Sequence, residues 1–291
     1  LILARPQPPS LGFQQNPLQN IGAVVNRGIE AAVTASLLRT SPLQWDLRVG
    51  VNTLHNELTD LGGIAPFVVG QSNYVMKGQQ LGVFVTNRIR SIDVANSKVI
   101  VSDTLEPAGN LFPTLEWNMT NTWTVLKDFR VVASLDSKRN FSVYNFSDFF
   151  RETQLRRSNR RLDPTVLSRY EFLRRYGSDV PGAPAFVREN GTSATVNEVQ
   201  EAYIQPGDFT RFRELSVTYN VPARLLGGIG HGVQAASIGL AMQNIKLWTN
   251  YQGADPEVVG DVARLGGLFS RFDFFTLPNP QKTVLRFNVT F

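Results

Sequence analysis

Hydrophobic and polar residues alternate one for one along much of this chain. Between residues 28 and 38, Ile29, Ala31, Val33, Ala35 and Leu37 hold one parity, and Glu30, Ala32, Thr34 and Ser36 the other. After Arg39-Thr40-Ser41-Pro42 the alternation resumes, with Leu43, Trp45, Leu47, Val49 and Val51 against Gln44, Asp46, Arg48, Gly50 and Asn52. A period of two marks a strand with two chemically different faces. The same period runs through 114–125, where Leu115, Trp117, Met119, Trp123 and Val125 alternate with Glu116, Asn118, Thr120, Thr122 and Thr124. Beyond Lys127-Asp128 it continues in Phe129, Val131, Ala133 and Leu135. Residues 209–221 and 233–248 form a further pair around Pro222 and the glycine-rich run 227–232. At the end of the chain, Leu285, Phe287, Val289 and Phe291 alternate with Arg286, Asn288 and Thr290. Seven strands are predicted, and Leu1–Ala4 reads as the remnant of an eighth.

The connections carry as much information as the strands. Short ones, about 39–42, 126–128 and 222–232, alternate strictly with long ones, about 54–113, 140–208 and 249–281. Structureless loops of that length are uncommon in compact domains. Tight turns at one end and long loops at the other are the rule in outer-membrane barrels. Trp45, Trp123, Phe129, Tyr219 and Phe291 each fall within a few residues of a short turn or of the terminus, with Trp248 at the opposite end of its strand. Rings concentrated at strand ends suit a girdle at a lipid–water boundary. The expected fold class is therefore all-β: an antiparallel transmembrane β-barrel segment with short periplasmic turns and long extracellular loops. The final aromatic strand would end at the periplasmic boundary, ordered by lipid and by its neighbours.

Composition narrows the alternatives. Apolar residues make up 42% and charged residues 18%, against about 25% charged in an average soluble domain, which argues against disorder. No run approaches the ~20 apolar residues of a spanning helix. The absence of cysteine removes disulfides, thiol catalysis and Cys-ligated zinc. The opening LILARPQPPS has neither the basic region nor the cleavage site of a signal peptide, so the chain reads as the carboxyl-terminal piece of something longer. The net charge of +5 resides in residues 151–175, which hold eight arginines and three acids. Arg156, Arg157, Arg160, Arg161, Arg174 and Arg175 form its dense part. No nucleic-acid-binding motif accompanies them, so they read as a solvated loop with no nucleic-acid partner.

Little else points to chemistry. Gly227-Gly228-Ile229-Gly230-His231-Gly232 superficially suits a phosphate loop, but a strand rather than a helix follows it, so a flexible turn is the better reading. His55 and His231 lie half a chain apart in different connections, without a nucleophile or acid beside them. Asp255, Glu257 and Asp261 carry hard-cation chemistry without a fixed-spacing loop. No catalytic, cofactor or metal residues are assigned. Arg211 and Arg213 share the parity of Leu215, Val217 and Tyr219. On a lipid face they would cost roughly 2–4 kcal/mol each at mid-bilayer. They are therefore expected at the extracellular rim, paired with lipid phosphates or acidic loops.

Four stretches, taken together, resemble the carboxyl-terminal part of SusC/RagA-type TonB-dependent outer-membrane transporters. They are Asn20-Ile21-Gly22 through Asn26-Arg27-Gly28-Ile29-Glu30, the run Phe209 to Tyr219 (FTRFRELSVTY), Gln243 to Tyr251 (QNIKLWTNY) with Asp255-Pro256-Glu257, and Pro278-Asn279-Pro280 before the last strand. The second and third, in this order, are the more specific. The resemblance covers nearly the whole chain and implies a 22-stranded barrel around an amino-terminal plug. It also implies a SusD-like surface lipoprotein as lid, coupling to the TonB complex, and a location in the outer membrane of a Gram-negative bacterium. The plug, the TonB-contacting segment and about fourteen strands have no counterpart here. An insertion common in the family between residues 80 and 110 is short.

On this reading Glu30, Thr34, Gln44, Arg48, Asn52, Glu116, Asn118, Thr120 and Thr122 line a polar lumen. The long loops contact cargo or lid, and Asp255-Pro256-Glu257 is a structural turn. Leu285, Phe287, Val289 and Phe291 form the signal read by the barrel-assembly machinery. The cargo class is oligosaccharide or oligopeptide, bound and moved without covalent chemistry. Two other classes stay open: a smaller autonomous porin or adhesin barrel, and a soluble β-sandwich binding module.

Overall fold

The computed structural model describes residues 22–70, 72–93, 98–153, 185–195, 198–226, 232–258 and 271–291. It also describes 2–4, 18–20 and the single residues 10, 12 and 96. The arginine cluster 156–175, His231 with Gly227 to Gly230, and Asp261 lie outside the described residues.

Along the chain, Ile2–Ala4 (β1) and Leu18–Asn20 (β2) form a small antiparallel pair. The predicted remnant strand thus pairs with β2 instead of extending the main sheet. Ala23–Arg39 (β3) and Leu43–Asp60 (β4) are followed by Phe67–Val68 (β5), Asn73–Val75 (β6), Val83–Asp93 (β7) and Lys98–Gly109 (β8). Leu115–Val125 (β9) and Phe129–Arg139 (β10) come next. Ser142–Asn145 (β11) then runs straight into the helix Phe146–Thr153 (α1). Ala185–Arg188 (β12), Ser193–Ala194 (β13) and Ile204–Pro206 (β14) precede Phe209–Asn220 (β15), and Ala235–Thr249 (β16), Phe272–Asp273 (β17) and Lys282–Thr290 (β18) complete the chain.

The seven strands read from periodicity form one antiparallel sheet in the order β18-β16-β15-β10-β9-β4-β3. Its register lays the alternating residues out as rows. One row crosses all seven strands through Leu38, Trp45, Trp123, Val131, Val217, Leu240 and Leu285. On the opposite face another crosses through Thr34, Arg48, Thr120, Ser134, Glu214, Gln243 and Lys282. The strands run antiparallel, with their short turns at a common end. There, aromatic rings meet across neighbouring strands: Trp45 and Trp123 stack with centroids 6.3 Å apart, and Phe129 and Tyr219 at 4.7 Å. Gly28 is required where β3 approaches β4, because a Cβ there would lie 2.1 Å from the Thr53 carbonyl oxygen.

Among the described residues, the apolar face has no covering layer. Ile29 is 70% exposed, Val33 64%, Leu285 59% and Phe287 64%. A β-sandwich module would bury these side chains against a second sheet, so that alternative is set aside. The principal apolar core lies elsewhere, in the long connections. Their described residues hold more strand than the sequence pattern shows, and β4 continues to Asp60, carrying His55 on a strand where a loop was expected. Six strands assemble in the order β13-β12-β8-β7-β6-β5, and three in the order β14-β11-β17. Phe84, Val99 and Val101 from the first connection, Tyr144, Phe149, Tyr203 and Ile204 from the second, and Phe272 from the third pack into one buried cluster. Three separate loops thereby become one layer over the open end of the wall.

Candidate functional site

All nine residues expected to line a lumen fall on the polar face of the wall. Glu30 pairs with Asn52 and Asn52 with Glu116, while Thr34, Arg48 and Thr120 form the neighbouring row. Asn118 stands opposite Gly50, where an added Cβ would come within 2.9 Å of the Asn118 amide, so the missing side chain makes room for it. Gln44 pairs with Thr124, and Asp46 with Thr122. Lys138 Nζ reaches Glu116 Oε1 at 3.5 Å on the same surface. Leu285, Phe287 and Val289 lie on the apolar face beside Leu240, Ile238 and Ala236, and Phe291 follows the strand, 79% exposed.

Arg211 and Arg213 are not where parity placed them. Relative to β10, strand β15 carries one extra residue, Arg213; towards β16 Arg213 is also unpaired, there opposite the two residues Asn244 and Ile245. A one-residue bulge exchanges the faces of everything beyond it. Arg211 therefore pairs with Asp136 and shares the face of Glu214, Ser216 and Thr218 instead of that of Leu215 and Val217. No lipid phosphate is needed, because carboxylates satisfy both guanidinium groups. Arg211 Nη2 donates to Asp255 Oδ1 at 2.6 Å, and its Nε lies 3.4 Å from Glu257 Oε2, close enough for attraction but outside hydrogen-bond geometry. Arg213 grips Asp136 with two nitrogens and reaches Glu257 with the same Nη2. Asp255 also caps its own turn by accepting the Glu257 amide at 3.0 Å, and it accepts the Asn279 amide at 3.3 Å.

The Asp255-Pro256-Glu257 turn is thus a clasp. It fastens both ends of the third connection to the wall at the base of the upper layer. Its carboxylates are occupied by guanidinium groups, and no group of residues suited to a metal ion occurs among the described residues. Nothing local in the sequence marks Arg213 as a bulge, since neither glycine nor proline flanks it.

A second polar contact escaped the sequence reading. Asn121 has the parity of the apolar face, between Leu47 and Ala133, and is 8% exposed. Its Oδ1 accepts the indole N–H of Trp45 at 3.0 Å. Trp45 has a half-buried donor to satisfy, and the neighbouring strand supplies the acceptor.

The upper layer has its own polar support. Tyr251 donates to Asp273 Oδ2 at 2.9 Å, and Thr276 donates to the other oxygen at 2.7 Å. Burial, reinforced by the Asp273 charge, raises the Tyr251 phenol well above its ordinary pKa. Burial likewise raises Tyr144, with Tyr203 nearby. Arg271 is lowered by burial, and its guanidinium sits 4.7 Å from the centre of the Phe141 ring.

Comparison with known proteins agrees with this architecture. No family model matches the chain. TonB-dependent receptor P26 of Formosa agariphila is 24% identical over 331 residues, covering all of this chain and 31% of that protein. TonB-dependent receptor P3 of the same organism is 22% identical over 314 residues, with the same coverage. The RagAB peptide transporter superposes with a TM-score of 0.71 at 16% identity, over 98% of this chain and 31% of that one. The RagAB peptide importer in its open-open state superposes with a TM-score of 0.70. The chain spans about a third of the length of these relatives; over its own whole length it is similar in sequence to proteins named TonB-dependent receptors, and it shares the fold of the matching part of the RagAB structures.

Proposed function

We propose that this chain forms the carboxyl-terminal wall and outer layer of an outer-membrane importer that takes up nutrients at the expense of TonB-coupled energy. The observation that carries the reading is the row from Leu38 to Leu285, apolar on all seven strands and without a covering layer among the described residues, backed by the polar row from Thr34 to Lys282. Six side chains of the apolar face, Ile29, Val33, Leu240, Leu285, Phe287 and Val289, are each 45% exposed or more. Left in water, they forgo on the order of 10 kcal/mol, comparable with the whole net stability of a domain. Hydrocarbon removes that penalty. A polar face towards a water-filled interior keeps Arg48, Glu116 and Lys138 hydrated, as barrels of this kind require.

In this reading the nine polar-face residues line the interior, and the layer built from the long connections meets cargo and a SusD-like lipoprotein. The last strand, from Leu285 to Phe291, serves the assembly machinery. The relatives are named receptors and transporters, and the function proposed here is likewise binding and movement without catalysis. The cargo is an oligosaccharide or an oligopeptide.

Nitroxides at Leu240 and Gln243 of the full-length protein in lipid vesicles test the orientation. Oxygen should relax the label at 240 preferentially, and a water-soluble nickel chelate the label at 243. Equal accessibility of the two sites would end the membrane reading.

A further inference from the structure

The six-stranded sheet of the upper layer carries a cleft of about 430 Å³, within the ~300–1,000 Å³ range of ligand sites. Val85, Thr86 and Asn87 of β7 form one part of its lining, with Tyr74 of β6 and Asp103 and Leu105 of β8 beside them. Segment 198–200 of the second connection closes it. The Thr86 hydroxyl donates to the Glu198 carbonyl at 2.9 Å and accepts the Gln200 amide at 2.8 Å.

Two irregularities shape the cleft. The β7–β8 register shifts at Phe84/Val85 and again at Asn87/Ile89, each time with the surplus residues in β8, so β8 is bulged opposite the stretch of β7 that lines the space. Ser72, at the rim, has a left-handed backbone with φ 58°, and its hydroxyl is held by Gln200. Bulges and left-handed non-glycine residues are retained where they aim side chains at something.

The lining selects a chemistry. Glu198 is already engaged by Arg188 at 2.6 Å and by the Thr195 amide at 2.7 Å. Arg188, the cation of the lining, is also bonded to the Ser193 carbonyl, so among the described lining residues no uncommitted cation remains for a phosphate, sulfate or carboxylate. Asp103 accepts the Asn190 amide through Oδ1 at 2.9 Å, and its second oxygen remains an acceptor. The Asn87 amide nitrogen is fixed on the Ser102 carbonyl at 2.8 Å, which presents its carbonyl oxygen as a further acceptor. Tyr74 adds a ring face and a phenol, and Val85 and Leu105 add apolar surface. β6, β7 and β8 are interior strands whose backbone groups face neighbours on both sides. The sheet's edge strand at the cleft, β5, contributes Val68 to the lining but is only two residues long, too short an edge to pair with an extended peptide. Hydroxyl acceptors beside a ring and aliphatic patches match a ligand that alternates hydroxyl groups with C–H faces.

We propose that this cleft is a subsite for a neutral sugar unit of an oligosaccharide. Its assignment to cargo, as distinct from binding alone, rests on the import reading above. The test uses the full-length protein in detergent, titrated calorimetrically with maltohexaose, cellohexaose, laminarihexaose and xylohexaose, and with a pool of hexapeptides. At least one saccharide should bind with a Kd below about 1 mM, insensitive to salt. Tyr74→Ala should weaken it about tenfold or more, and Asp103→Asn severalfold, each with unchanged thermal stability. Tyr74→Phe, which keeps the ring, should retain most of the affinity and covers the case in which Tyr74→Ala misfolds. Saccharide affinity untouched by all three variants overturns the proposal, as does binding of peptides alone or of no saccharide in the panel. Each of those results leaves the nitroxide pattern at 240 and 243 unchanged. Saccharide binding in a protein lacking that pattern would sink the import reading and keep the subsite.

Discussion

Arg211 and Asp255 meet at 2.6 Å with 3% and 2% of their side-chain surfaces exposed. The pair joins the first residues of β15 to the far side of the Thr249–Asp255 stretch, so it ties the third long connection to the wall. A buried ion pair is weak evidence of net stabilisation, since desolvation offsets most of the attraction. Breaking one side only is another matter. Arg211→Met strands Asp255, and Asp255→Leu strands Arg211, and each should cost about 3–5 kcal/mol locally. The double variant should recover much of that loss. Hydrogen exchange of residues 250–258 and 271–281 in the full-length protein reads the difference. Equal protection in single and double variants would remove the clasp.

Trp45 and Asn121 make a second such pair, on the apolar face. Asn121→Leu leaves the indole N–H of Trp45 without its acceptor, a loss of about 1–3 kcal/mol. Adding Trp45→Phe should restore most of it, because both polar partners are then gone. Denaturation midpoints of the four proteins in one detergent give the coupling. A coupling near zero means that another acceptor serves Trp45.

These two pairs mark what could and could not be read from the order of residues. The seven wall strands were legible because a half-buried strand shows period two, and nothing competes with that pattern in Ile29–Ala35 or Leu43–Val51, although the register skips Leu37 and puts Leu38 on the apolar face. The strict alternation of short and long connections was legible for the same reason. Arg213 was not, because a bulge inserts a residue without any composition of its own, and parity counted across it assigns Arg211 to the wrong face. Asn121 was hidden by the apolar residues that flank its parity. The upper layer was hidden by burial on both faces. Phe84, Val85, Thr86 and Asn87 are all buried, so β7 shows no clean alternation to find. Its pairing with β12 across the sheet through β8 depends on residues nearly a hundred positions away.

The buried phenols of the upper layer set its alkaline limit. Tyr144 and Tyr251 are both raised by burial, above the unfolded value of about 10. The unfolded chain therefore gives up these protons first. Their contribution to stability is fully present below pH ~10 and is lost as pH rises towards the folded values. Absorbance at 295 nm should show an exposed-tyrosine phase near pH 10 and a later phase that coincides with loss of the layer's folded signal. Tyr251→Phe should shrink the later phase by one phenolate and leave the earlier one intact. Shrinkage of the earlier phase instead would place Tyr251 in contact with water.

The bulge at Arg213 makes the sharpest prediction, because it separates geometry from charge. Arg213→Ala keeps the extra residue and removes the bonds to Asp136 and Glu257. Arg211 stays on the polar face, and the barrel should assemble at near-normal levels with a looser third connection. Deleting Arg213 removes the same bonds and also restores simple parity. Arg211 and Phe209 then turn together to the face of Leu215 and Val217, while Phe212 turns to the polar face. A guanidinium facing lipid costs roughly 2–4 kcal/mol at mid-bilayer and less near the interface. The deletion also leaves Asp255, 2% exposed, without its partner, at about 3–5 kcal/mol. Together these approach the net stability of a domain. Outer-membrane levels of the deletion should fall at least about tenfold below those of Arg213→Ala, measured by heat-modifiable mobility of the full-length protein. Equal levels would mean that β15 absorbs the loss by shifting its bulge, and that the face of Arg211 is not set by residue 213.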